Sequence, residues 1–232
     1  MIMSFTDREE KIIRNEMSKL KQTVVLRVFT DYETTNERKK HRSCLSCNSM
    51  MRILNELQEA SEGKLEIEEK SIREDEDLAK EFKIKRIPTI LFLEKNDKEL
   101  IRYTATPDGN QLVPFIKTLQ YYSGVSPFYK DQIKTNLKNI PKSKIMMFVT
   151  HTCNYCPQVI PVANLFALVG DGKINVEIID INANLDIAQK YNISSVPYTM
   201  INEKEHLIGM FTPQDLLDKL TKGKRDFGGM YA

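Results

Sequence analysis

The chain has 232 residues, 41% hydrophobic and 28% charged, with 34 basic residues against 32 acidic ones. That length and apolar content suit one large or two small globular domains. A net charge of +2 supplies no bulk attraction to nucleic acid or an anionic membrane, and no apolar run is long enough to span a bilayer. The N-terminal stretch MIMSFTDREEKIIRNEM is charged early and lacks a signal-peptide apolar core, so a cytoplasmic protein is expected.

In chain order, a helix comes first, over about 7–21. Thr6 and Glu9 fit a capping box, and Ile13, Met17 and Leu20 share one face. An apolar strand, TVVLRVF, follows at 23–29. After the irregular segment 30–43, a helix opens at Cys44 and Cys47. Cys47, Met50, Leu54 and Leu57 recur at helical spacing, and Gly63 follows its end. A strand at 64–70, a short helix at 75–82 and Pro88 come next. Two strands, 89–94 and 99–104, flank polar turn residues, and a helix at about 110–121 closes the unit. The stretch YYSGVSP at 121–127 reads as a linker. It divides the chain into 1–123 and 124–232.

The second unit repeats the first. Cys44 precedes Pro88 by 44 residues, and Cys153 precedes Pro197 by 44. Before the prolines, LAKEFKIKRIP at 78–88 matches IAQKYNISSVP at 187–197, and Leu65 and Ile67 match Ile174 and Val176. Upstream of the cysteines the offset changes so that Phe29 matches Phe148. The first copy therefore carries about ten extra residues within 30–43, by the repeat alignment. The second copy has strands at 144–149, 173–181, 198–202 and 206–211, with helices at 184–191 and 213–221. Thr212 and Pro213 fit N-cap and N1 of the last helix. The order α-β-α-β-α-β-β-α, taken twice, implies an α/β protein in which each unit is a mixed sheet flanked by helices. The tail GKRDFGGMYA reads as flexible.

The four cysteines form two close pairs, Cys44/Cys47 and Cys153/Cys156. A disulfide scaffold of a small secreted domain would spread its cysteines instead. A Cys-x-x-Cys at a helix start has a direct chemical logic. The first sulfur faces unpaired backbone N–H groups at the positive end of the helix, which favours thiolate. The second, three residues on along the same face, can attack the resulting mixed disulfide and release the substrate. Cys153 and Cys44 are thus the expected attacking thiols, and Cys156 and Cys47 the resolving thiols. The alternative is a non-catalytic adaptor or a zinc-binding module with structural cysteines. Four thiolates suit zinc, but zinc ribbons space their pairs by about 15–20 residues, far closer than here. No resident metal is expected. Ile87-Pro88 and Val196-Pro197 precede strands. A cis bond there would bring backbone groups beside the cysteines to hydrogen-bond a substrate strand; an edge or turn role is the other reading.

At these residues the chain resembles the protein disulfide oxidoreductases of archaea and thermophilic bacteria, often labelled glutaredoxin-like proteins. The stretch FVTHTCNYCP is similar to that family's second active site. Arg102-Tyr103 and Pro107, within RYTATP, resemble a stretch of its first unit, with Ala105 in place of a glycine. The resemblance implies two fused thioredoxin folds and a thiol–disulfide oxidoreductase that reduces, forms or isomerises protein disulfides. It implies no bound cofactor beyond the redox-active disulfides. Its electron donor would be a flavoprotein of the thioredoxin-reductase kind or a small thiol, with a peroxiredoxin as a further partner. The chain is also similar to the tandem N-terminal domain of the alkyl hydroperoxide reductase flavoprotein, which keeps only its second cysteine pair. The motif Cys44-Leu45-Ser46-Cys47 departs from the family pattern, lacking the aromatic third residue of Cys153-Asn154-Tyr155-Cys156, and it follows the insertion.

Glu69 stands where the second copy has Ile178, with Leu65 and Ile67 on the same strand face. One expectation is a partly buried carboxyl with a raised pKa, moving protons near a cysteine pair; a solvated Glu is the other. His151, two residues before Cys153, is a candidate for favouring thiolate. The basic run Arg38-Lys39-Lys40-His41-Arg42 is a candidate for lowering the Cys44 pKa, and Arg86 for contacting substrate; exposed loop charges are the plainer reading.

Overall fold

The computed structural model describes residues 5–224 and residue 226. Apart from Gly223, Lys224 and Asp226, the tail expected to be flexible lies outside the described residues. The first half contains helix α1 (Asp7–Met17), strand β1 (Val24–Thr30), a small hairpin of β2 (Glu33–Thr34) and β3 (Lys40–His41), helix α2 (Leu45–Ala60), β4 (Leu65–Ser71), α3 (Glu76–Glu81), β5 (Thr89–Leu93), β6 (Glu99–Thr104) and α4 (Leu112–Tyr122). The second half contains α5 (Lys130–Asn136), β7 (Ser143–Val149), α6 (Cys156–Val169), β8 (Ile174–Asp180), α7 (Leu185–Lys190), β9 (Tyr198–Ile201), β10 (Glu205–Ile208) and α8 (Pro213–Thr221).

Local chemistry explains the helix ends. The Thr6 side chain accepts the Glu9 N–H while the Glu9 carboxylate accepts the Thr6 N–H, and Thr212 with Asp215 does the same for α8. Helix α1 stops at Met17, short of the expected residue 21, and its chain continues in turns to Leu20. The insertion in 30–43 contains the β2–β3 hairpin, which hydrophobic patterning could not show because both of its strands are exposed.

The two units do not form separate sheets. A single eight-stranded sheet runs in the order β10-β9-β7-β8-β6-β5-β1-β4. The halves meet where β6 pairs in parallel with β8, Ile101 opposite Val176 through Thr104 opposite Ile179. Each unit would otherwise present these strands as open edges, and pairing them satisfies both rows of backbone groups.

Alternation along the strands sorts side chains to two faces. Val24, Leu26 and Val28 face a continuous core that runs through both halves and is covered by α1, α2, α4, α5, α6 and α8. Phe29 and Leu91 face the opposite side, where α3 covers a smaller cluster, and Phe148 and Met146 pack there beneath α7. One buried polar contact pins the halves together. The Asn164 side chain of α6 donates to the Tyr103 hydroxyl at 2.7 Å and to the Thr118 hydroxyl at 2.9 Å. Burial raises the Tyr103 pKa despite these bonds, so this hydroxyl stays neutral.

Candidate functional site

Both cysteine pairs sit at the sheet end where a parallel strand hands over to a helix, and both are disulfide-bonded. In the first, Cys44 caps α2, and its sulfur accepts the Cys47 N–H at 3.1 Å. In the second, the Cys153 sulfur accepts the Cys156 N–H at 3.0 Å. Helix α6 begins only at Cys156, so Cys153 lies on the preceding turn. The Cys44 sulfur thus occupies the place of a capping side chain and the Cys153 sulfur stands just ahead of its helix, and each faces a backbone donor that would stabilise a thiolate after reduction. Cys47 and Cys156 are fully buried, Cys153 is 7% exposed, and Cys44 is half-buried.

The prolines lie beside them. Ile87-Pro88 and Val196-Pro197 are both cis. Phe29 pairs with Thr89 and Phe148 with Tyr198, so each proline immediately precedes its strand, next to the point where the cysteine loop departs. In the second unit the Gly209 N–H returns to the Pro197 carbonyl at 2.9 Å, and exposed Ile208 and Met210 flank that turn. Exposed Tyr155 adds an apolar group between the second pair of cysteines.

Glu69 behaves differently from its expected role as a proton carrier. Its side chain is 5% exposed and accepts from Arg42 through Nε at 2.6 Å and Nη2 at 2.7 Å, from the Thr30 hydroxyl at 2.6 Å and from Lys40 at 3.1 Å. Burial pushes its carboxyl up, but the bonds from Arg42, Thr30 and Lys40 outweigh it, and the pKa lies below the ordinary glutamate range. The carboxylate is a fixed anchor for the insertion. It sits on β4, at the sheet edge away from β7, so it does not serve the second pair. Lys40 and Arg42 of the basic run are engaged by it, and Lys39 pairs with Glu37. Arg86 pairs with Asp186 across the seam between the halves. The exposed His151 ring stands 4.0 Å from Asp180.

Two sets of residues went unseen in the sequence. Asp31 is buried at 6% exposure and accepts the Cys44 N–H at 2.9 Å. The repeat aligns it with Thr150, and that change from hydroxyl to carboxylate beside a cysteine loop was the available signal. The second set is Gly109, Asn110 and Gln111 of the first half, which grip the second cysteine loop. The Asn110 N–H donates to the His151 carbonyl at 2.9 Å, its side chain to Asn154 at 3.1 Å, and Gln111 Nε2 to the Thr150 carbonyl at 2.7 Å. Gly109 is required by this close approach: at φ +49° a Cβ would stand 2.8 Å from the His151 carbonyl oxygen. Neighbouring Asp108 has its pKa raised by burial, with His151 opposing. No signal in the sequence foretold these contacts, because they exist only once the halves dock.

The four sulfurs do not converge on one zinc site. Among the described residues, the grouping of three or more metal-ligating side chains joins Cys44 and Cys47 to Asp31 and includes neither Cys153 nor Cys156.

Fold, cysteine placement and cis-prolines together define a thiol–disulfide oxidoreductase of the thioredoxin class. Residues 41–118 match the thioredoxin family model and residues 143–222 match a second thioredoxin-domain model; the chain carries two thioredoxin domains in tandem. A protein disulfide oxidoreductase from Aeropyrum pernix has a similar structure, with a TM-score of 0.77 at 24% identity, covering 95% of this chain and 94% of that one. The NTD_N/C domain of alkylhydroperoxide reductase AhpF from Enterococcus faecalis gives a TM-score of 0.80 at 19% identity, covering 93% of this chain and 99% of that one. The AhpF polypeptide of alkyl hydroperoxide reductase in Staphylococcus aureus is 26% identical over 141 residues, 60% of this chain and 27% of its own length. Its counterpart in Staphylococcus epidermidis is 26% identical over 174 residues, 75% of this chain and 31% of its own length. The chain thus spans under a third of these curated relatives. Among the described residues no helix is long and apolar enough to cross a membrane.

Proposed function

We propose that the chain exchanges electrons with protein disulfides in the cytoplasm, mainly through Cys153 and Cys156, with the units dividing near residue 124. The Cys153 thiolate attacks a substrate disulfide, forming a mixed disulfide and releasing one substrate thiolate. Cys156 then attacks the Cys153 sulfur, releasing the second substrate thiol and leaving the Cys153–Cys156 disulfide. A reductant returns two electrons and two protons to restart the cycle. Cys44 and Cys47 form a second exchange centre by the same steps. Val196 and Pro197, with Ile87 and Pro88 at the first pair, offer backbone groups to an extended substrate segment. Exposed Tyr155, Ile208 and Met210 offer it apolar contact.

The similarity to the AhpF polypeptide of alkyl hydroperoxide reductase supports a flavoprotein as electron donor and a peroxiredoxin as a recipient. The observation that carries the reading is the Cys153 sulfur accepting the Cys156 N–H at a helix start, in a disulfide. The test is insulin reduction driven by dithiothreitol. Cys153→Ser is expected to lower the rate by about a hundredfold or more, as loss of a nucleophile does, and Cys156→Ser to trap the mixed disulfide. Cys44→Ser is expected to lower it only in part. Unchanged rates in both Cys153→Ser and Cys156→Ser would remove the second pair from the mechanism.

A further inference from the structure

The buried carboxylate beside the first pair has no task in disulfide exchange as described. Asp31 Oδ2 accepts the Cys44 N–H. Oδ1 is fully buried and has no hydrogen-bond partner. A carboxylate oxygen of Asp31 and the sulfurs of Cys44 and Cys47 all lie within 4.8 Å of one another.

In the disulfide the two sulfurs are neutral, and the pocket holds one negative charge. Two electrons and two protons convert the bond to a dithiol. A divalent cation that displaces both thiol protons then meets two sulfurs and a carboxylate oxygen within 4.8 Å of one another, and its own charge offsets the repulsion among them. We propose that the reduced Cys44/Cys47 pair, together with Asp31, binds a thiophilic divalent cation of the Zn²⁺ class and that oxidation of the pair releases it. Two thiolates and a carboxylate match the donor preference of this ion, and a fourth tetrahedral position stays open to water. The helix start favours the thiolates that the ion requires.

Atoms and electrons balance. Dithiol and cation give the metal dithiolate and two protons. A substrate disulfide then takes two electrons and two protons, leaving the Cys44–Cys47 disulfide, two substrate thiols and the free cation. The occupied site carries one net negative charge. Arg42 and Lys40, both paired with the single carboxylate of Glu69, leave the adjoining segment one surplus positive charge that offsets it. The second pair is not such a site, because the repeat sets Thr150 where Asp31 stands. While bound, the cation holds the Cys44 sulfur, so metal slows exchange at the first pair without stopping it and leaves the second pair unaffected. Metal binding here does not depend on turnover at the second pair.

The test uses the full chain, reduced and then freed of reductant without air. It is titrated with Zn²⁺ against a competing chelator, and with Co²⁺ to read the sulfur-to-cobalt charge-transfer absorption. The expected result is one Zn²⁺ per chain in the reduced protein and in the Cys153→Ser, Cys156→Ser double variant, with none in the oxidised protein. Cys44→Ser should weaken binding by about a hundredfold, and Asp31→Asn by about tenfold, since loss of a ligand costs at least what loss of its support does. Asp31→Asn keeps an oxygen for the Cys44 N–H, and circular dichroism with urea unfolding reports whether it folds; should it not fold, Cys44→Ser decides alone. Zinc that follows Cys153 and Cys156, or that binds the Cys44→Ser variant as tightly as the parent, overturns the proposal. So does equal affinity of the oxidised and reduced chains.

Discussion

The two cysteine pairs hold equivalent places in an internal repeat, yet different parts of the molecule support them. The first pair is supported within its own unit. Asp31 holds the Cys44 backbone, while Glu69 ties Arg42 and Lys40 of the inserted segment to β4. The hairpin is clamped further by Glu74, whose carboxylate accepts the Thr34 hydroxyl at 2.9 Å, and by Lys40 lying 4.1 Å above the Tyr32 ring. The second pair is supported from outside its unit, by Gly109, Asn110 and Gln111 of the first half. A repeat thus fixes where reactive sulfurs stand in the fold, whereas their surroundings come from whatever each copy docks against. Fusion of the two sheets through β6 and β8 is what brings the loop after β6 onto the second site.

The strongest way to break this contrast is at Glu69. Removing one partner of a buried ion pair leaves the other charge uncompensated and costs about 3 kcal/mol. Glu69→Gln is therefore expected to lower unfolding free energy by that order in urea titration, to raise the alkylation rate of reduced Cys44 as the hairpin loosens, and to leave Cys153 unchanged. The pH dependence has a definite sign. The folded-state pKa is depressed, because the bonds from Arg42, Thr30 and Lys40 exceed the opposing effect of burial. The stabilisation is then present above the ordinary glutamate range and is lost as pH falls through the depressed value. The stability gap between parent and variant should close on acidification; a gap that persists in strong acid would show that Glu69 acts through packing instead.

Gly109→Ala probes the other support. The added Cβ meets the His151 carbonyl oxygen at 2.8 Å, on backbone with positive φ, so the cysteine loop must shift or the halves must separate slightly. A cost of about 1–2 kcal/mol follows from the strained backbone alone. Displacement of the Cys153 loop should slow exchange at the second pair by roughly tenfold, as small misplacements of reacting groups do. Cys44 alkylation should be unaffected. Equal slowing of both pairs would show that the substitution loosens the whole seam rather than one loop.

Much of this architecture was legible in the sequence, for identifiable reasons. Strands β1 and β7 are apolar runs, the Thr6 and Thr212 boxes mark helix starts, and the matched interval from cysteine to proline exposes the repeat. These are local or periodic signals, and they survive in a linear text. Glu69 was legible as an anomaly, a charge at a position apolar in the other copy. Its meaning was not, because its partners lie far from it in sequence: Thr30 reaches it through the pairing of β1 with β4, and Arg42 from the segment between β3 and α2. The joining of the sheets was hidden for a related reason. Ile101–Thr104 and Val176–Ile179 each set one half-buried charge, Arg102 or Glu177, among buried residues, a pattern that serves at a sheet edge as well as in the middle and names no partner.

Gln111→Leu gives the smallest expected effect and the finest resolution of the brace. Gln111 is buried, and its Nε2 donates to the Thr150 carbonyl at 2.7 Å, while its Oε1 has no hydrogen-bond partner. The substitution loses a hydrogen bond with a net value of about 1 kcal/mol, but it also removes an unsatisfied buried acceptor, which offsets part of that loss. Leucine keeps most of the volume, so no cavity term arises. The net change in stability should therefore stay below about 1 kcal/mol. Exchange through Cys153 should fall by less than in Gly109→Ala, because both Asn110 contacts to the cysteine loop remain. Urea unfolding and the rate of the second pair, measured on the same preparations, check the order. If Gln111→Leu slowed Cys153 more than Gly109→Ala did, the grip on the Thr150 carbonyl, rather than the close approach at His151, would be the contact that sets the loop.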